Sequence, residues 1–233
     1  LMTFTGCSTG YVLRAAYEQS KIILNRKKIS DVIADAATPE DIKNKLKLVL
    51  EAREFGKQIK LNTDSAYTYY TKVDKKVLSW VVMASEPDSF SLKTWWFPFV
   101  GTVPYKGFFE KEDADALAKD LEEKGFETAV RGATAYSTLG WFNDPILTTS
   151  LKDDDYELAS TVLHELVHRT MWIKGDVSLN ESLAQFVGLE AMTRFYKGTN
   201  KEISALIYKD NWHMLASLIE KLYSNLENAY DSD

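Results

Sequence analysis

The chain has 233 residues, of which 45% are hydrophobic and 27% are charged. This balance is typical of a folded protein and argues against disorder. The net charge of -6 argues against a nucleic-acid-binding protein and against a polybasic membrane clamp, because both need clustered basic residues. The single cysteine excludes an intrachain disulfide. A chain of this length can bury a sufficient core without a structural metal, so we expect any metal site to serve chemistry.

The first eight residues form a short apolar segment that runs into the only cysteine. The Gly6-Cys7 pair resembles the end of a bacterial lipoprotein signal, in which cleavage leaves a lipidated cysteine, although Phe4 stands where leucine is commoner. This resemblance makes residues 1–6 a signal-peptide remnant. It also predicts that Cys7 tethers the protein to a bacterial membrane outside the cytoplasm, facing the periplasm or the cell surface. The alternative is a buried or unreactive thiol.

The N-terminal part of the chain has a helical pattern. A first helix is predicted from Tyr11 to Lys28. A second begins at Thr38-Pro39, with Thr38 as its cap and acids in its first turn, and is expected to end near Phe55. Aromatic and β-branched residues then dominate from Tyr67 to Val103, and Val77 to Met83 is the clearest strand in this region.

The middle of the chain alternates between helix and strand. Residues 111–124 form a helical pattern that stops at Gly125, and residues 126–136 form a strand pattern. Helices are predicted from there to the end. This order indicates an α+β fold with a small mixed or antiparallel sheet and helical N- and C-terminal segments. We expect one domain over residues 7–233, with a helical part at about 11–60, a sheet-containing part at about 65–147 and a metal-binding helical part at about 150–233.

The strongest chemical signal lies in residues 150–174, which read as one helix with three aspartates in its first turn and Gly175 as its stop. Inside it stands His164-Glu165-Leu-Val-His168, which contains two of the three histidines of the chain. Histidines four residues apart share one helical face, so both imidazoles can bind one Zn²⁺ at about 2.0–2.1 Å. Glu165 is placed to act as a general base on water.

A third ligand is expected from the next helix. That helix is predicted to open near Asn180-Glu181, with Asn180 as a possible cap, after a short turn over residues 175–179. Twelve residues lie between His168 and Glu181, enough for the chain to fold back and bring the carboxylate to the metal. Two histidines and one glutamate leave the fourth position of a tetrahedral zinc open, as catalysis requires. The competing interpretation is a pair of core histidines and a surface glutamate.

The motif His-Glu-Leu-Val-His followed by Gly-Asp-x-x-x-Asn-Glu-Ser resembles the predicted bacterial aminopeptidases, a lipoprotein-rich family of gluzincin-type zinc peptidases. The resemblance includes the Gly6-Cys7 start and Trp96-Phe97-Pro98 with Tyr105-x-Gly107. Outside the metal site, it is most specific over the segment from Ala135 to Pro145. It implies a zincin-like active-site helix pair, in which His164, His168 and Glu181 are the zinc ligands and Glu165 is the catalytic base.

One position departs from the pattern of thermolysin-like enzymes, which carry an aspartate four residues after the ligand glutamate. This chain has Gln185 there. The group that orients His164 or His168 is therefore unassigned, and Glu157 and Glu190 are weak candidates for it.

Several further residues are candidates for the substrate site. Tyr136 ends the strand before the metal-binding helix and is the first candidate to donate a hydrogen bond to the tetrahedral oxyanion. The alternative is that Tyr136 only packs at the strand end. Residues 131–137 can act as an edge strand that pairs with an extended peptide. Weaker candidates, each with a structural alternative, are Tyr105, Arg131, His213 and the apolar pair Trp95-Trp96.

These observations predict a zinc-dependent metallopeptidase that hydrolyses peptides. The resemblance favours an aminopeptidase, and an endopeptidase stays open. The expected partners are a peptide substrate and a membrane, with no nucleic acid. The alternative is a non-catalytic lipoprotein with a vestigial metal site that serves as an envelope binding or scaffold module. The intact Glu165 argues against this alternative, because a structural zinc does not need it.

Overall fold

The computed structural model describes residues 20–74, 77–97, 101–133, 145–174 and 176–231. These residues form two compact units. The first contains residues 20–24, the described part of 74–133 and residues 229–231, and the second contains 25–73, 145–174 and 176–228. Small sheets and several helices occur together, so the predicted α+β class is confirmed.

The first unit contains two small antiparallel sheets. In the larger sheet, β3 (Ser79–Ser85) pairs with β6 (Lys106–Phe108) on one side and β7 (Glu127–Ala133) on the other. The smaller sheet pairs β4 (Trp95–Phe97) with β5 (Gly101–Val103). Strands β3 and β7 start one or two residues later than the predicted strands. Among the described strands, β7 is an edge strand of the larger sheet. An edge strand was predicted for residues 131–137, of which residues 131–133 are described and belong to β7.

Helix α3 (Lys111–Glu122) covers the larger sheet. It buries Ala114, Ala118 and Leu121, which recur at helical spacing, against Val82 and Ala84, which alternate along β3. The chain reverses at Gly125, whose φ of 90° lies in the left-handed region that glycine adopts without strain. The predicted stop of this helix is confirmed.

The second unit combines one small sheet with most of the helices. Strand β1 (Lys27–Lys28) pairs antiparallel with β2 (Tyr69–Thr71), and β2 pairs parallel with β8 (Ile146–Leu147). The helices are α1 (Ile29–Ala34), α2 (Glu40–Gln58), α4 (Asp155–Thr170), α5 (Val177–Phe195) and α6 (Glu202–Tyr230). Helix α6 belongs to this unit up to and including Asn228.

Helix α4 lies at the centre of this unit. One of its faces is buried at Leu158, Val162 and Leu166, and packs against side chains of α2 and α5 such as Val49 and Met192. Burial of such side chains stabilises the fold by about 1.5–3 kcal/mol each. Helix α4 is therefore held on a continuous apolar core, and its other face is available for polar side chains.

An ion cluster fixes the start of α4. The Asp155 carboxylate accepts hydrogen bonds from Lys45 Nζ of α2 at 2.8 Å and from Lys201 Nζ, just before α6, at 2.5 Å. The two ammonium groups, Lys201 first and then Lys45, lower the pKa of Asp155 below its ordinary value of 3.8. This carboxylate thus joins three segments of the unit.

The helix ends differ from the predicted ends. The predicted cap Thr38 is wrong: Pro39 occupies the cap position of α2, and Thr38 instead donates its backbone N–H to Asp35 O. Helix α4 is shorter than residues 150–174. It starts after Asp154, whose carboxylate accepts from the N–H groups of Tyr156 and Glu157 at 2.8 Å, and residues 150–152 form a separate 3₁₀ turn.

The end of α4 is also earlier than predicted, at Thr170 rather than near Gly175. The chain becomes extended at Met171 because the next residues bond to α5 instead of continuing the helix. None of the helices in the described parts of the chain has both the length and the apolarity that a bilayer span requires.

Candidate metal centre

His164 and His168 project from the same face of α4, one turn apart. Their rings lie at 85° to each other with centroids 4.7 Å apart, and their Nε2 atoms are 3.1 Å apart. The side chains are 17% and 15% exposed, so each ring is mostly buried with its Nε2 edge directed at the other. The predicted sharing of one helical face is confirmed.

Glu181 of α5 completes the cluster. Its Oε2 atom lies 3.3 Å from His164 Nε2, and its Oε1 atom lies 3.3 Å from His168 Nε2. The carboxylate therefore spans both rings. Its side chain is 54% exposed, which leaves the cluster accessible from solvent. The structure thus brings together the three residues that the sequence predicted as ligands.

The donor geometry fits a metal ion. The three donor groups lie within 4.8 Å of one another. A four-coordinate zinc with bonds of 2.0–2.1 Å separates its ligand atoms by about 3.3 Å, close to the observed 3.1–3.3 Å. Two imidazoles and one carboxylate form a typical donor set of catalytic zinc sites, which keep one position open. His164, His168 and Glu181 can therefore hold a metal ion.

The electrostatics of His164 favour the neutral ring. Burial, and secondarily the neighbouring His168, lower the pKa of His164 below its usual 6.5, while Glu181 opposes this shift. A neutral imidazole is the form that ligates a metal. The ring is therefore in the correct protonation state for a ligand near neutral pH.

The connection between α4 and α5 is organised by Asn180, which is only 2% exposed. Its Oδ1 accepts from Ile173 N at 2.8 Å, and its Nδ2 donates to Ile173 O and Asp176 O, both at 2.7 Å. The amide thus ties the connection to the first turn of α5. Because Glu181 is the next residue, this network also fixes the start of the helix that carries Glu181.

The predicted cap at Asn180 is wrong. Asp176 caps α5 by accepting from Leu179 N at 2.9 Å, and the helix starts at Val177, three residues before Asn180. Asn180 lies inside the first turn, where its amide is buried and fully used by the connection. A capping residue directly precedes its helix, and Asp176 occupies that position for α5.

Gly188 permits the close approach of α5 to α4. A Cβ atom at this position would lie 3.0 Å from Ser160 O, 3.1 Å from His164 Cβ and 3.2 Å from His164 N. Gly188 is two turns from Glu181 and on the same face of α5. Its missing side chain therefore helps set the helix spacing at which the carboxylate reaches both imidazoles. Sequence reasoning missed this residue, although an isolated glycine inside a helical pattern is a signal of close packing.

Two further residues are close to the donor residues, one in sequence and one in space. Glu165, the predicted base, is half-buried on α4 next to His164. The Trp172 ring contacts the His168 ring edge-on, with centroids 5.4 Å apart and an interplanar angle of 66°. Sequence reasoning missed Trp172 as well, because it lies on the connection, where no periodic pattern predicts contacts.

Neither weak candidate for an orienting partner bonds to a histidine among the described contacts. Glu157 is a largely exposed residue at the start of α4, and partial burial of its carboxyl, followed by repulsion from Asp153 and Asp154, raises its pKa. Glu190 bonds to Lys209 at 2.9 Å. The Nδ1 atom of His168 is buried without a hydrogen-bond partner in the described part of the chain. A partner for it stays unassigned.

The other candidates divide into two groups. Cys7 and Tyr136 lie outside the described residues, as does the segment from Ala135 to Pro145 except for Pro145 itself, so their roles stay predictions. Trp95 packs on the core of the first unit, whereas the remaining candidates are exposed: Tyr105, Arg131 and Trp96 of the first unit and His213 of α6. Among the described contacts of the second unit, none joins His213 to the donor cluster.

Comparison with known proteins gives a family. No curated protein and no solved structure matches the chain. A family model described as "Putative aminopeptidase" matches residues 10–233, which include α4, α5 and the donor cluster between them. Since the match covers nearly the whole sequence, the chain belongs to this aminopeptidase family.

Proposed function

We propose that this protein is a zinc-dependent peptidase and, in keeping with its family, an aminopeptidase. The observation that carries the proposal is the donor cluster of His164, His168 and Glu181, whose ligand atoms lie 3.1–3.3 Å apart. The substrate is a peptide. The helix pair α4–α5 serves as an active-site pair of the gluzincin type, with the histidines on one helix and the glutamate on the next.

The residues divide into ligands and a base. His164, His168 and Glu181 hold the metal through Nε2, Nε2 and the carboxylate. Zinc bound there supplies a Lewis acid that lowers the pKa of a coordinated water and polarises a peptide carbonyl. Glu165 accepts a proton from the attacking water and returns it to the leaving amine. Tyr136 is our first candidate donor to the developing oxyanion.

We also propose a location for the protein. Cleavage after Gly6 leaves Cys7 as the lipidated first residue, so the peptidase is anchored to a bacterial membrane and works outside the cytoplasm. The support is the position and uniqueness of this cysteine.

The function is tested by separating the roles of the two glutamates. The protein is loaded with zinc, and metal stoichiometry and turnover of a mixed peptide pool are measured for Glu165→Gln and Glu181→Ala. Glu165→Gln keeps its zinc and loses about 10²–10⁴-fold in turnover, because the amide cannot accept the proton. Glu181→Ala loses zinc affinity and activity together, because a ligand is missing.

The matched control is Glu157→Gln, which makes the same chemical change at an exposed position two turns earlier on α4. It retains both zinc and turnover. Zinc-loaded parent protein that hydrolyses no member of the pool contradicts the peptidase proposal. Near-normal turnover in Glu165→Gln with a full site removes Glu165 as the base, and tight zinc in Glu181→Ala places the third ligand elsewhere.

A further inference from the structure

Exposed apolar side chains follow one another along the connection from α4 to α5 and the first turn of α5. They are Met171, Trp172, Ile173, Val177 and Leu179. Isolated exposed apolar residues are ordinary, but a succession of them commonly marks a binding surface. The first of these residues, Met171, lies three residues after His168, so this apolar surface begins close to the proposed metal site.

Trp172 joins this surface to the donor cluster. Its ring contacts the His168 ring edge-on at a centroid distance of 5.4 Å, yet 44% of the residue stays exposed. One part of the indole is therefore held against a metal-binding imidazole, and the other part faces solvent beside it. A group bound at the metal has this apolar surface as a neighbour.

The backbone on both sides of Trp172 is fixed. Met171 donates its N–H to Val167 O at 2.9 Å, and both backbone polar groups of Ile173 bond to the buried amide of Asn180. Trp172 therefore sits between two anchored residues, and ordering it on ligand binding requires little further loss of conformational entropy. A rigid aromatic side chain of this kind is an efficient apolar contact for a ligand.

Two nearby charged groups of this region are engaged elsewhere. The Asp176 carboxylate caps α5, and the Arg169 guanidinium lies 3.9 Å from the Asp64 carboxylate. Lys174 is a further charged residue of this connection and is exposed, whereas the three residues before it, which are nearer to His168 in sequence, are all apolar. This apolar part of the surface suits an apolar group better than a charged one, because a charged group bound there loses its hydration and gains no polar partner in return.

We propose that Trp172 forms the wall of a subsite for a large apolar side chain of the substrate residue next to the scissile bond. This inference rests on the proposed peptidase function and specifies its substrate class, which is peptides with bulky aliphatic or aromatic residues at that position. Trp172 acts as a specificity-determining residue, since it contacts substrate and takes no part in proton transfer.

The test compares two probes that share a metal-binding group and differ in side chain, L-leucine hydroxamate and glycine hydroxamate. Their Kd values are measured by calorimetry on the zinc-loaded full chain. The parent protein binds the leucine probe at least about tenfold more tightly, because the isobutyl group is buried against the indole. Trp172→Ala abolishes most of this difference, and Trp172→Phe retains part of it.

Trp212→Ala is the matched control, because Trp212 is a comparably exposed tryptophan on α6 at 37%. It keeps the preference of the parent protein. Equal affinity of the parent for the two probes, or an undiminished preference in Trp172→Ala, overturns the proposal. So does loss of zinc in Trp172→Ala, which assigns Trp172 a structural role in support of His168.

Hydrolysis of Leu- and Gly-containing peptides is measured beside binding. A preference in binding without hydrolysis of any peptide refutes the peptidase function and leaves the apolar subsite supported. Hydrolysis of both peptides at equal kcat/KM, with equal probe affinity, refutes the subsite and leaves the peptidase function supported. The two proposals therefore fail by different results.

Discussion

Replacement of Gly188 by alanine tests whether the spacing of α4 and α5 builds the candidate metal centre. The added methyl group would meet Ser160 O at 3.0 Å and two atoms of His164 at 3.1 and 3.2 Å. Two of these three atoms belong to the backbone of α4, which cannot move aside as the end of a flexible side chain can. The two helices must therefore separate by a few tenths of an ångström at His164.

The expected change in stability is the sum of two opposing effects. Overpacking of a tight contact destabilises a fold by about 1–3 kcal/mol. Replacement of glycine inside a helix by alanine stabilises the helix by about 0.5–1 kcal/mol. The net loss is about 1 kcal/mol. Zinc affinity should fall by about tenfold or more, because Glu181 moves relative to the imidazoles and such supporting contacts affect metal affinity on that scale.

The assay combines urea unfolding of the apo protein with zinc competition against a chelating indicator. Ile29→Val is the control, because it removes one methylene from a buried site of α1 and costs about 0.5–1.5 kcal/mol in unfolding free energy. It should match the stability loss of Gly188→Ala while it keeps the zinc affinity of the parent protein. Unchanged zinc affinity in Gly188→Ala, or an equal loss in both variants, would refute the reasoning that helix spacing sets the ligand geometry.

Three further results are expected. Asn180→Ala leaves the backbone groups of Ile173 without their side-chain partner. The unfolding free energy should therefore fall by about 1–3 kcal/mol and the zinc affinity by about tenfold. A stability loss with unchanged zinc affinity contradicts the role of Asn180 in placing Glu181. Asp155→Asn should destabilise the protein at pH 7, and the difference should shrink as the pH falls below about 4. Since Lys201 and Lys45 depress the pKa of Asp155 from 3.8, its stabilising contribution is present above that value and disappears as the pH falls through the folded-state pKa. Urea unfolding from pH 7 to pH 3 measures this, with the exposed Asp41→Asn as control, and a difference that does not vary with pH argues against the ion cluster. Cys7→Ser should abolish palmitate labelling and detergent partitioning of the full-length protein, and an unmutated protein that shows neither removes the lipid anchor.

Much of the donor cluster could be predicted from local sequence. His164 and His168 are four residues apart in a strong helical pattern, and a helix turns once in 3.6 residues, so their shared face follows from spacing alone. Glu181 was a reasonable third ligand because a short connection returns the chain to the same place. The α+β class followed equally from the order of helical and strand patterns, which are local properties.

The errors concern helix ends and the connection between α4 and α5. The predicted helix over residues 150–174 ends at Thr170, and the predicted cap Asn180 lies within the first turn of α5. Both errors have one cause. The buried Asn180 amide pairs with the backbone of Ile173, and this contact between residues seven apart decides where one helix stops and the next begins. Cap preferences describe isolated helix ends and do not include such pairs.

By itself, the sequence determined which residues supply the donor atoms, because ligand identity and helical spacing are encoded locally. The tertiary structure decided that these atoms meet at 3.1–3.3 Å, through the contact of Gly188 with α4 and the tie made by Asn180. It also decided that Trp172 lies against His168. These relations depend on how two helices pack on a common core, and packing depends on the shapes of side chains from distant parts of the chain, which no local pattern contains.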